Sequence, residues 1–367
     1  MLTGQLTSTA LDPMSSTISQ YVYLPGGYPM VLLGALLLAG TAVAEPPLPE
    51  RTAEQLVAEV AATRPTNFSG TVETSAELGL PALPGSRRGS DFEALLTGNN
   101  TIRIWAGAED QSRVAVHGTF GESDLIRNGS EVWLWNSQEK TAVHSTLSGK
   151  ERQRPDDAPT PQQLAAKAIA AIQPSTQIDV ARNVTVAGRS AYELVLQPKD
   201  DRSLVEQVRI AIDGETFLPL RVQVLAEGGQ RPAAEAAFTA IDFTAPDPSV
   251  FEFTPPPGTE VKKDSDARED HRSGERDRGK SERPKESDQP TVIGKGWTAV
   301  YVADNGEAVA KGNESGSEML NALPKVSGSW GSGRLFSSRL VSAVITDDGR
   351  VAAGAVRPEL LYDALER

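Results

Sequence analysis

Apolar and polar residues alternate with a period of two through most of the stretch from Asn67 to Phe253. That pattern turns one face of a strand to a core and the other to water. In Asn67–Ser75 the residues Phe68, Gly70 and Val72 share one side, while Ser69, Thr71 and Glu73 share the other. Ile102/Ile104 and Val114/Val116 repeat the alternation, and Asn128-Gly129 separates two strand-like runs as a tight hairpin turn. Four further runs follow at Asp179–Val186, Ser190–Gln197, Leu204–Ile212 and Leu218–Leu225, with Asp213-Gly214 as a turn. In the last of these Leu218, Leu220, Val222 and Val224 form an unbroken apolar face. Ala236–Phe243 is another strand, Phe251 and Phe253 point the same way, and Pro255–Gly258 closes the run. The reading is roughly nine to eleven antiparallel strands, too many to stay flat.

Helices are few. Thr52-Ala-Glu-Gln55 is a capping box, in which the Thr52 hydroxyl accepts from the Gln55 amide and the Gln55 side chain bonds back. Leu56, Val57, Val60 and Ala61 then share a helical face, which ends before Pro65. A second box, Thr160-Pro-Gln-Gln163, has Pro161 at the first helical position and an apolar stripe of Leu164, Ala168, Ile169 and Ile172. The expected fold class is α+β, mainly antiparallel β: a curved sheet lidded by two helices, with a small C-terminal α+β unit. Two helices cover a long sheet incompletely, so an apolar cavity is expected unless side chains such as Trp133, Trp135 and Phe238 fill it.

The ends of the chain differ from this body. Residues 30–44 are uncharged and apolar, short for spanning about 30 Å of hydrocarbon, and end Ala42-Val43-Ala44 in a small-x-small pattern. Residues 1–29 carry no Lys or Arg, so the basic start of an export signal is missing. A cleaved signal, a single-span anchor and a buried helix all remain open, with residues 1–44 assigned to signal or anchor and 45–258 to the sheet domain. Residues 259–290 hold ten acidic and nine basic side chains and almost nothing apolar, the composition of a solvated linker. Residues 291–367 form the small unit, with strands at Trp297–Val302 and Leu340–Thr346, a turn at Asp348-Gly349 into Val351–Val356, and a closing helix from Pro358.

Composition narrows the chemistry. A net charge of −13 opposes binding to nucleic acid or anionic lipid, whose partners are clustered cations. The absence of Cys removes disulfides, thiolate catalysis and attachment of lipid through an N-terminal Cys. Three histidines, His117, His144 and His271, do not make a metal site with the last in a charged linker. No nucleophile elbow is present; Gly328–Gly333 has no neighbouring histidine, and its Gly331-Ser-Gly333 reads as a flexible turn. Asp156/Asp157, Asp200/Asp201 and Asp347/Asp348 sit at turns, where Asp bonds its own backbone. Neither enzyme chemistry nor a cofactor is expected. Trp133 and Trp135 alternate with Val132 and Leu134, which suits a strand packed on both faces or one lining a cavity.

The capped helix Thr52–Thr63 followed by Asn67-Phe-Ser-Gly-Thr-Val72 resembles the opening of the LolA-type lipoprotein-carrier superfamily. So do Ile212-Asp-Gly-Glu-Thr-Phe-Leu-Pro-Leu220 and the closing Val250-Phe-Glu-Phe-Thr-Pro-Pro-Pro-Gly258, and the match covers roughly residues 50–262. The order of a LolA-like domain before a smaller one is also similar to RseB/MucB, the extracytoplasmic regulators of sigma-factor signalling. The resemblance implies a half-barrel lidded by helices that holds acyl chains without catalysis. Its expected lining residues here are Phe68, Val72, Ile102, Ile104, Trp133, Leu220, Val222 and Phe238. The apolar and then basic segment holding Leu80, Leu83, Arg87 and Arg88 is expected as a loop for a membrane or partner. The expected partners are lipid or lipoprotein acyl chains, with a membrane-bound anti-sigma factor as the alternative; the protein is expected as a monomer, secreted or anchored. The lipobox Cys of the lipoprotein branch is absent, and the C-terminal unit matches RseB poorly.

Overall fold

A computed structural model describes residues 48–63, 66–78, 98–118, 121–147, 161–263, 290–304 and 320–367. The apolar run at 30–44, the loop holding Leu80, Leu83, Arg87 and Arg88, and most of the charged linker lie outside the described residues. Pro46–Arg367 form one compact unit.

The fold class is as expected: mostly antiparallel strands in an open curved sheet, few helices and a second small sheet. The first helix, α1 (Ala53–Ala62), starts on the anticipated box, with the Thr52 side chain accepting from the Gln55 amide and the Gln55 side chain accepting from the Thr52 amide. Six strands then run as a meander: β1 (Phe68–Ala76), β2 (Gly98–Ala106), β3 (Gln111–His117), β4 (Glu122–Asn128), β5 (Glu131–Asn136) and β6 (Thr141–Thr146). The Asn128-Gly129 hairpin joins β4 to β5 with Gly129 at φ +63°, a conformation open to Gly at little cost. Helix α2 (Pro161–Ile172) leads into β7 (Thr176–Val180), β8 (Val184–Val186), β9 (Arg189–Pro198), β10 (Val205–Asp213), β11 (Pro219–Ala226) and β12 (Pro232–Asp242).

The far edge of the large sheet is β13 (Glu260–Lys263), parallel to β6. The spatial order is β13-β6-β5-β4-β3-β2-β1-β12-β11-β10-β9-β7, with β8 also on β9. The pairing of β1 with β12 joins the two blocks of strands into one sheet. β13 falls inside the stretch expected as linker, so the sheet continues past Gly258.

β9 and β10 are buried on both sides. Tyr192, Leu194 and Ile212 pack with Leu56 of α1. Ala191 and Ala211 pack the other way, with Leu220, Phe68 and Phe238. Asp213, at the end of β10, has no exposed surface and takes a two-pronged contact from Arg189, Nε to Oδ1 at 2.6 Å and Nη2 to Oδ2 at 2.9 Å. The Thr216 amide donates to the same Oδ2 at 2.8 Å. Burial pushes the Asp213 carboxyl up, but the bonds from Arg189 and Thr216 outweigh it and hold the group below its usual range.

The second sheet comprises β14 (Thr291–Ile293), β15 (Val300–Ala303), β16 (Lys325–Gly328), β17 (Gly331–Ser337), β18 (Ser342–Thr346) and β19 (Val351–Gly354), in the order β14-β15-β19-β18-β17-β16. Trp297, anticipated in a strand, lies instead in a 3₁₀ turn at Gly296–Thr298. There its indole N–H donates to Thr176 Oγ1 at 2.8 Å. Helix α3 (Pro358–Leu365) covers one face of this sheet, with Leu361 and Leu365 packed on Val300, Val344 and Ala352. A bridge from Ser203 to Val356, the Leu204 amide on the Ala355 carbonyl and an Arg357–Glu227 ion pair tie the small sheet to the large one.

Asp213→Ala leaves the half-buried Arg189 guanidinium only the exposed Glu215 as a partner and should destabilise the protein by about 3 kcal/mol, read as a fall in denaturation midpoint. Because the folded carboxyl titrates below its unfolded value, this contribution is present at neutral pH and lost as pH falls through the carboxylate range. The wild type should therefore lose more stability than Asp213→Ala between neutral pH and pH of about 3, and equal losses would contradict the assignment.

Candidate ligand-binding site

Six of the expected lining residues come together. Phe68, Val72, Leu220 and Phe238 belong to one buried cluster, and Ile102 and Ile104 pack against it half-buried. The Phe68 and Phe238 rings meet edge-on at 6.5 Å, and Phe243 tilts against Phe68 at 6.1 Å. Gly70 permits this: a Cβ there would stand 2.6 Å from the Phe238 ring. These side chains pack mainly on one another.

The other two lie elsewhere. Val222 pairs between Ile210 and Ala236 and is 37% exposed. Trp133 lies opposite Ile126 and His144, one position out of step with Leu134, so it occupies the other face of the sheet. There it stacks on the His144 ring at 4.2 Å and meets Phe253 at 5.4 Å. The His144 ring also bonds Glu131. His117 stands at the end of β3, exposed and opposite Glu122.

That second face is polar at its centre. Asp124, fully buried, is bonded by Arg113, which also donates to the Val250 carbonyl at 3.2 Å and so ties down the 3₁₀ turn Pro248–Phe251. Burial raises the Asp124 carboxyl above its ordinary range, against the pull of Arg113 and with the neighbouring Glu122 adding to it. Arg103 and Arg113 both lie over the Trp105 ring, at 5.2 and 5.6 Å. These contacts fasten the Pro248–Phe253 segment across the strands. Among the described residues no three His, Cys, Asp or Glu groups converge as metal ligands.

The residues that sequence reasoning did not gather lie on the first face, beyond Ile104. Ile104 pairs with Val114, Val114 with Leu125, Leu125 with Leu134, and Leu134 with Val143. Five apolar side chains thus stand in a row across β2 to β6. Leu125 and Leu134 are 41% and 42% exposed. Four inter-strand steps of about 4.8 Å make the row about 19 Å long. One end runs into the Phe68–Phe238 cluster through Ile104 and Gly70. Alternation in each strand carried the signal, but only the register between strands aligns it.

Residues 100–263 match the family model described as the MucB/RseB N-terminal domain. No curated protein matches the chain. Among solved structures, the Pseudomonas aeruginosa MucA/MucB complex is similar at 16% identity over 84% of this chain and 94% of that one, with a TM-score of 0.41. An uncharacterized conserved protein from Thermus thermophilus is similar at 14% identity over 58% of this chain and 99% of that one, with a TM-score of 0.34. A LolA superfamily protein from Nitrosomonas europaea is similar at 12% identity over 56% and 99%, with a TM-score of 0.21. The family match thus falls on the strand-rich region of this chain, from β2 through β13.

Proposed function

We propose that the protein is a non-enzymatic, extracytoplasmic binder of lipid or lipoprotein acyl chains, which lie along the apolar row Ile104–Val114–Leu125–Leu134–Val143. The observation that carries this reading is the in-register exposure of leucines on adjacent strands. Large apolar side chains set side by side in water mark a surface that another apolar body covers. The row is about 19 Å long, a little more than half of the roughly 30 Å hydrocarbon core of a bilayer, and so close to the length of one acyl chain. Covering the exposed parts of Leu125 and Leu134 stabilises a complex by about 1 kcal/mol each, without any charged group. The buried Phe68–Phe238 cluster then acts as the wall against which the row ends. The MucB/RseB match supports a binding or regulatory role outside the cytoplasm. Among the described residues no helix is long and apolar enough to cross a membrane.

A second reading, a regulator that binds a membrane-bound anti-sigma factor, is favoured by one feature of the small sheet. The face opposite α3 carries Val292, Tyr301, Ala353, Ala343 and Phe336 paired in a row, with Val292 and Tyr301 52% and 53% exposed. The match to a MucB/RseB domain is consistent with this reading.

Two experiments separate the readings. Purified protein should carry lipid visible by native mass spectrometry and should take up a fluorescent fatty acid from buffer. Leu125→Asp combined with Leu134→Asp should weaken that binding at least tenfold, at about 1 kcal/mol or more per leucine, with little change in unfolding temperature because both side chains are exposed. Retention of full binding by the double variant sinks the acyl-chain reading. Tyr301→Glu should leave fatty-acid binding intact; if it alone abolishes capture of the periplasmic part of an anti-sigma factor, the regulatory reading takes its place.

A further inference from the structure

The large sheet ends at β7, away from the apolar row. Among the described residues β7 pairs only with β9. The Ala181 amide donates to the Glu193 carbonyl, and the Lys199 amide donates to the Ser175 carbonyl. These bonds place the hydrogen-bonded pairs of the ladder at the odd-numbered residues of this strand. The N–H and C=O groups of Ile178 and Val180 therefore point away from β9. Among the described residues no hydrogen bond reaches them.

A groove of about 390 Å³ runs beside this edge. All of β7 forms its floor, and Ala53 and Glu54 of α1, Ile169 of α2, Gln173 in the turn after α2 and Lys199 form its walls. The Ile178 and Val180 side chains turn to the α1 side and pack with the Leu56 cluster. The groove thus combines open backbone groups with an apolar side and a polar side.

We propose that this groove takes an extended segment of a partner polypeptide, added to β7 as a further strand. The outward groups of Ile178 and Val180 recur every second residue, a spacing of about 6.6 Å that another extended backbone matches. An acyl chain has no donors or acceptors to meet them, and a helix has already spent its own on itself. The five residues of β7 set the length of the added strand at about 17 Å. Partner residues on the face of Ile178 and Val180 lie beneath the helices and are apolar, whereas the alternate residues face solvent. The partner segment therefore alternates apolar and polar residues. A short edge strand carrying a charge, as Asp179 does here, is an ordinary defence against unwanted pairing. That defence does not account for the open groove along the strand.

The test uses the full chain, panned against a phage-displayed library of short random linear peptides. Selected peptides should alternate apolar and polar residues and, when bound, slow amide hydrogen exchange at Ile178 and Val180. Ile178→Pro removes an outward N–H at an edge position where proline is tolerated, and it should weaken binding at least tenfold. Gln173→Trp fills the groove from the exposed turn just after α2 and changes no side chain of β7, and it should do the same; it decides alone if the proline variant does not fold. Failure to select any peptide, protection at other amides, or unchanged binding by Gln173→Trp would overturn the proposal. Self-association that protects the β7 amides without peptide would make the occupant a second copy of this chain and overturn it equally.

Discussion

The burial of β9 and β10 on both faces is the constraint on which the rest of this structure depends. A sheet with one wet side can alternate apolar and polar residues indefinitely. A strand covered twice cannot, and β9 is accordingly buried from Ala191 through Val195. The small Ala191 and Ala211 let the Leu220–Phe238 side approach closely, while the larger Tyr192, Leu194 and Ile212 meet α1. Glu193, caught between them, is satisfied by Arg221 at 2.9 Å. A buried carboxylate without such a partner would be strongly destabilising, so the arginine is part of the packing. The same logic holds at Asp213, whose carboxylate and Arg189 fasten the β10–β11 turn.

Much of this architecture could be read from the chain. The Thr52–Gln55 box, the Asn128-Gly129 hairpin, the Asp348-Gly349 turn and the helix opening at Pro358 are local devices, specified by a few adjacent residues, and all occur where anticipated. β13 was not legible. Glu260-Val-Lys-Lys263 has the composition of the charged segment that follows it, and only the unpaired edge of β6 makes it a strand. Trp297 was misread for a related reason: its indole bonds Thr176 on the large sheet, a tertiary contact that overrides the strand-like look of its neighbours.

The candidate site was half legible. Apolar alternation brought Phe68, Val72, Ile102, Ile104, Leu220 and Phe238 to one cluster, because each lies on strands whose neighbours are adjacent through β1. It could not separate Trp133 from Leu134. Both are apolar neighbours on β5, and which of them joins Ile104 depends on three successive hairpin registers. A shift of one residue in any of them would exchange the two faces. Val222 stands outside that cluster because of the bulges on either side of β11, which break the single face that Leu218, Leu220, Val222 and Val224 suggest.

The two ends of the large sheet offer different chemistries. The β2–β6 end presents side chains without hydrogen-bonding groups; the β7 edge presents backbone donors and acceptors with few side chains in the way. A ligand suited to one is poorly suited to the other, since an acyl chain leaves the β7 groups unmet and a peptide laid across the leucine row buries its amides unpaired at about 1–3 kcal/mol each. Both ends are nonetheless held by the same strands: β1 and β12 join them, and Phe238 of β12 rests on Gly70 of β1. A ligand that shifts Ile104 against the Phe68–Phe238 cluster presses on β12 and, through β11, on the doubly covered pair β10 and β9 beside the open edge. Packed cores yield in discrete steps, and that cluster is the core packing that the strands of both ends share.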